Sequence, residues 1–123
     1  MGHEAQDWGQ YLGAPAEMAG WRHGVAGSTR DDRRVDCWLA IDDHRVQSAR
    51  FEVFAGPDAL RGALWTARWV SDRSLADLES LTGLEIVRRA GLADGAKTDA
   101  LCIEDAMRAA AAALPLTGGR EQS

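Results

Sequence analysis

Residues 35–54 read VDCWLAIDDHRVQSARFEVF, and this stretch decides the fold. Val35, Cys37, Leu39 and Ile41 alternate with Asp36, Trp38, Ala40 and Asp42, the period of two that marks a half-buried strand. Asp42-Asp43-His44-Arg45 carries turn chemistry. Beyond it Ala49, Phe51 and Val53 alternate with Arg50, Glu52 and Phe54. Two alternating runs across a short polar turn predict an antiparallel hairpin.

Downstream the period lengthens. Gly56-Pro57-Asp58 suits a helix start, with proline in the first turn and an acid at the positive end of the dipole. Leu60, Ala63, Leu64, Ala67 and Val70 then form one helical stripe. Ser74 with Asp77 reads as a capping box opening a second helix that carries Leu75, Leu78 and Leu81. Leu84, Ile86 and Val87 continue into a short helix stopped by Gly91. The last helix is expected from Thr98 or Asp99 to Leu114, where Pro115 ends it.

Upstream, Trp8, Tyr11 and Leu12 suggest a short helix over Glu4 to Leu12, ended by Gly13 and Pro15. Residues 20–30 (GWRHGVAGSTR) read as a loop with at most one short strand. Strands first and helices after predict an α+β fold, a small three-stranded antiparallel sheet with helices packed on one face. A chain of 123 residues allows one such domain, taken as residues 1–114, with a frayed tail over 115–123.

Composition narrows the function classes. A hydrophobic fraction of 46% with 27% charged residues is that of a globular domain. A net charge of −5 argues against a nucleic-acid partner, which needs clustered cations. No apolar run approaches the roughly 20 residues that cross a bilayer, so no membrane role and a cytoplasmic location are expected. Cys37 and Cys102 follow neither a zinc spacing nor a disulfide framework. No nucleophile–base pair, phosphate loop or two-histidine metal motif stands out, so an enzyme is not expected.

Several short words, in order, resemble the IscU/NifU-type iron–sulfur cluster assembly scaffold family, whose fold is of the SufE/NifU-like kind. They are Ile41-Asp42-Asp43 through Ala49-Arg50-Phe51, Phe54 to Ala59, Trp69-Val70 before Ser74-Leu75, and Glu104-Asp105-Ala106 before Arg108-Ala109-Ala110. Tyr11 and Pro15 to Gly20 add a fainter match, so the resemblance spans about residues 11–114. It implies a cluster held by three cysteines, with an aspartate two residues after the first and a histidine before the third. In register those cysteines fall at Arg30, Gly56 and Asp99, the histidine at Thr98, and the aspartate at Asp32, which alone is retained. The family's proline-rich chaperone segment falls at Leu92 to Ala96, where only Leu92 matches.

Clusters need soft thiolate donors, so these positions are not expected to hold one in the family's manner. The resemblance then implies an accessory or interaction module of iron–sulfur cluster assembly, with a cysteine desulfurase or other protein as partner. The alternatives are an iron or cluster binder using Asp32, Asp99 and Cys102, completed across a homodimer, and a regulatory or small-molecule role on the same fold. Cys37 reads as an inert core thiol. Cys102, near a helix start, has a reactive reading through a depressed pKa beside the plainer core one. His23 and His44 read as lone exposed histidines, and the run from Arg30 to Arg34 as a charged loop or a rim where Asp32 and Asp99 approach. Trp8, Trp21, Trp38, Trp65 and Trp69 leave core packing and an aromatic docking patch both open.

Overall fold

The predicted hairpin forms, and its turn sets its register. β2 (Arg33–Asp42) and β3 (Arg45–Phe54) pair antiparallel from Asp42↔Arg45 to Arg34↔Phe54. The two-residue loop between them has Asp43 at φ 54° and His44 at φ 62°, both left-handed, so its twist matches that of the strands. A register shift at Ala40/Ile41 leaves Gln47 as the extra residue on β3. That bulge changes the parity, so Val46 faces the core together with Ala49 and Phe51.

The computed structural model describes residues 8–28, 30 and 32–117. The sheet order is β1-β2-β3, with β1 (Arg22–Ser28) antiparallel to β2. The one short strand allowed within residues 20–30 spans seven of them and completes the three-stranded sheet, though it is poor in strand-forming side chains. Its glycines have tertiary reasons. A Cβ on Gly24 would overlap the backbone of the last helix, and Gly27, at φ 75°, lies against the Arg33 carbonyl.

Four helices follow: α1 (Pro57–Val70), α2 (Leu75–Ser80), α3 (Gly83–Ala90) and α4 (Lys97–Ala112). α1 lies on β3, α4 covers β1 and β2, and α3 packs against both helices. The face of α1 that is buried differs from the predicted stripe. Ala59, Gly62, Ala63, Thr66, Ala67 and Val70 point inward, and Leu60 is 39% exposed. Small residues let the helix approach its neighbours, with the Gly62 Cα facing Leu92, Ile103 and Ile86, and the leucines spread to the flanks.

The caps expected at Ser74 and Gly91 form, and Thr82 adds another. Ser74 Oγ accepts from the Asp77 amide, Thr82 does the same for Glu85, and Gly91 closes α3 at φ 69°. Glu104 reaches across from α4 to accept from the Gly83 amide at 2.7 Å while Arg108 holds its other oxygen at 2.9 Å. The N-terminal helix is not found where described: residues 8–11 form a 3₁₀ turn, and residues 4–7 lie outside the described residues. Arg50 organises that turn by donating to the carbonyls of Gly9, Gln10, Leu12 and Gly13. Past residue 114 the chain is still bonded, with Leu116 exchanging hydrogen bonds with Trp21 and Gly20. Residues 118–123 of the expected tail lie outside the described residues.

Candidate functional site

Antiparallel register gathers the end of β1, the start of β2 and the end of β3 at one edge of the molecule, through Ser28↔Arg33 and Arg34↔Phe54. Arg30 and Asp32 sit in the connection between β1 and β2, Gly56 is the N-cap of α1, and Asp99 lies in the first turn of α4. The three cysteine positions and the retained aspartate therefore belong to this end of the sheet. Their chemistry differs from a ligand set. Arg30 is an exposed cation, Gly56 has no side chain, and Asp32 is exposed with φ 60°. Asp99 accepts from Arg33 Nε at 2.6 Å with its carboxylate largely buried, so its charge is already matched. Asp99 is brought to β2 by this ion pair, with Arg33 in the place where Asp32 was expected to approach it.

Cys102 lies one turn beyond Asp99, and its Sγ packs beside Gly27. It is buried at 7% exposure, and the helix-start argument for a reactive thiolate does not hold. Burial pushes its pKa up. The Arg33 charge and a hydrogen bond from Val35 offset this only in part, with Asp105 and Asp99 adding to the rise. Cys37 is fully buried on the core face, and burial, aided by Asp36, drives its thiol well above the ordinary range. Among the described residues no group of three or more histidines, cysteines, aspartates or glutamates is placed to hold a metal ion. The residues at this end do not fit an iron–sulfur cluster, because soft donors are missing and the nearest thiol is buried and protonated.

The open face of the sheet holds a polar network that the sequence reading missed. His23 is on β1, not in a loop, and its Nε2 donates to Asp36 Oδ2 at 2.8 Å. A carboxylate only accepts, which fixes the proton on Nε2. Arg34 Nε donates to the other Asp36 oxygen at 2.8 Å, and the His23 ring stacks on Trp38 with centroids 4.8 Å apart. The register pairs His23↔Trp38 and Val25↔Asp36, so these neighbours follow from β1 being a strand. His44 is in the hairpin turn as expected, and is exposed there.

Burial alone would raise the Asp36 pKa, but hydrogen bonds from Arg34 and His23 and their charges outweigh it and hold it below the ordinary carboxylate range. A carboxyl depressed in the folded state binds protons more readily when unfolded. Its stabilisation is present above the unfolded pKa and is lost as pH falls through the folded one. Melting temperature is therefore expected to drop from about pH 4 downward, and Asp36→Asn should flatten that limb. An acid limb of unchanged steepness in Asp36→Asn would contradict the assignment.

No family model matches the chain, and no curated protein matches it. Among the described residues no helix is long and apolar enough to cross a membrane.

Proposed function

We propose that this chain is a cytoplasmic accessory or interaction module of iron–sulfur cluster assembly, a scaffold-shaped protein that does not carry a cluster at the family's ligand positions. The observation that carries this reading is the Arg33–Asp99 ion pair at 2.6 Å. It joins the start of β2 to the start of α4, at the sheet end to which the resemblance assigns the metal. A guanidinium there repels a metal cation and occupies the carboxylate that was the third ligand position. The fold supports the kinship: strand, hairpin turn, strand and helices occur in the order on which the resemblance rests. A cysteine desulfurase is the partner this reading favours.

The test is anaerobic incubation of the full chain with ferrous iron and sulfide, followed by desalting, absorption spectroscopy and metal analysis. The expected product is colourless and retains only traces of iron. A stable chromophore that disappears in Cys102→Ser would replace this reading with a binder built from Asp32, Asp99 and Cys102.

A further inference from the structure

At the opposite end of the sheet, the hairpin turn meets the end of α1. Three backbone hydrogen bonds fix this junction: Asp72 N–H to Val46 O at 2.7 Å, Val46 N–H to Arg73 O at 2.8 Å, and Leu75 N–H to His44 O at 2.9 Å. Over this paired floor opens a cleft of about 610 Å³ whose walls include Arg45, Trp65, Arg68, Trp69, Arg73 and Asp77. Trp65 and Trp69, one turn apart on α1, stack with centroids 5.9 Å apart and planes 17° from parallel. The Arg73 guanidinium lies 4.1 Å from the Trp69 ring centre, and its Nε donates to the Trp69 carbonyl at 2.8 Å. With Nε committed to that carbonyl, the two terminal nitrogens of the guanidinium remain to meet a planar acceptor.

Three arginines line this cleft against two aspartates, Asp72 and Asp77, a net positive excess. Among the described residues Arg45 and Arg68 form no ion pair, and the Arg68 guanidinium lies over the Trp8 ring, 5.7 Å from its centre. Arg73 comes no nearer than 3.9 Å to Asp77, beyond hydrogen-bond reach. On a chain of net charge −5, Arg45, Arg68 and Arg73 beside two half-buried indoles make a local cationic and aromatic surface, and Arg89, itself paired with Glu85, lies 5.7 Å from the Trp69 ring centre. Arginine and tryptophan are the residues that most often anchor protein interfaces. Asp72 and Asp77 on the same wall oppose a phosphate-dense polymer, whereas guanidinium edges match single carboxylates bidentately.

We propose that this cleft docks an acidic peptide segment of a partner protein, with an Asp or Glu against the arginines and an apolar side chain against Trp65 and Trp69. The proposal rests on the interaction-module reading for the class of occupant and adds the place and chemistry of docking. The cleft lies at the far end of the sheet from Asp99, so docking leaves the Arg33–Asp99 end open.

The probe is a short synthetic peptide of Asp, Glu and Leu, titrated into the full chain while the indole N–H resonances of Trp65 and Trp69 are followed. Saturable shifts are expected at those two indoles, with Trp38 unmoved. Arg45→Gln/Arg68→Gln, both at exposed positions, should melt as wild type and bind at least about tenfold more weakly. The proposal is overturned by the absence of shifts, by undiminished binding in the double variant, or by equal shifts with inorganic phosphate, a single-stranded oligonucleotide or a peptide with Lys in place of every Asp and Glu. Its failure is distinct from that of the interaction-module reading: a chain that takes up a cluster yet binds the peptide loses that reading, and a colourless chain that ignores the peptide loses the cleft.

Discussion

Gly24→Ala is expected to lower the melting temperature by roughly 10 °C or more, a loss of at least about 3 kcal/mol. The added Cβ would lie 2.7 Å from the Ala109 carbonyl carbon and nearer still to Ala110 N and Ala106 O. Those are backbone atoms of α4, which cannot swing aside as a side chain would. Relief requires the helix to move off β1, and that motion would strain the Arg33–Asp99 pair about two to three turns along the same helix. Overpacking usually costs about 1–3 kcal/mol, and a clash with helix backbone belongs at the top of that range or above it. Trimming Ala106 or Ala110 to glycine should give no rescue, because neither Cβ is the obstacle. A Gly24→Ala protein melting within about 2 °C of wild type would contradict the packing of β1 on α4.

Phe51→Ala is expected to cost about 3–5 kcal/mol, a large share of the 5–15 kcal/mol typical of a domain. Phe51 stands opposite Cys37 in the sheet and is the largest fully buried side chain among the described residues. Its removal leaves a cavity beneath α1, which the small face of that helix cannot fill. Its carbonyl also accepts from the Gly13 amide at 2.8 Å, a backbone bond that the variant keeps. The loss should therefore appear in denaturant midpoint at unchanged slope, and Phe51→Leu should recover a large part of it. A Phe51→Ala loss under about 1 kcal/mol would show that the core is not centred here.

The hairpin was legible because its alternation and turn are local, from Val35 to Phe54. Gln47 as the bulged residue was not, since only the need to bury both Val46 and Ala49 demands it. β1 was hidden for a tertiary reason. Gly24 and Gly27 resemble loop residues in isolation, and their use is the close approach of α4 and of Arg33. Without the register of β1 the setting of His23 could not be read, because its partners Asp36 and Trp38 are cross-strand neighbours. On α1 the leucines outweighed the alanines in the pattern, yet Ala59, Gly62 and Ala63 face inward while Leu60 lies at the rim. At the sheet end, residue types showed that thiolates were absent at 30, 56 and 99. That Asp99 is bound by Arg33 needed the fold, since the two are 66 residues apart.

The Trp65–Trp69 stack was half legible. Spacing placed both indoles on one helix side, and the hairpin turn that delivers Arg45 beside them came only with the tertiary structure. The two ends of the sheet thus carry different chemistry, an ion pair at one and an arginine–tryptophan cleft at the other.

The central claim, a scaffold shape without the scaffold's thiolates, is tested most directly by iron and sulfide reconstitution of the wild type beside Arg30→Cys/Gly56→Cys/Asp99→Cys. The variant leaves Asp32 in place, and its folding is checked by thermal melting. The account predicts a colourless wild type and a folded variant that takes up a stable chromophore. A wild type that holds a cluster, or a folded variant that stays colourless, would contradict it.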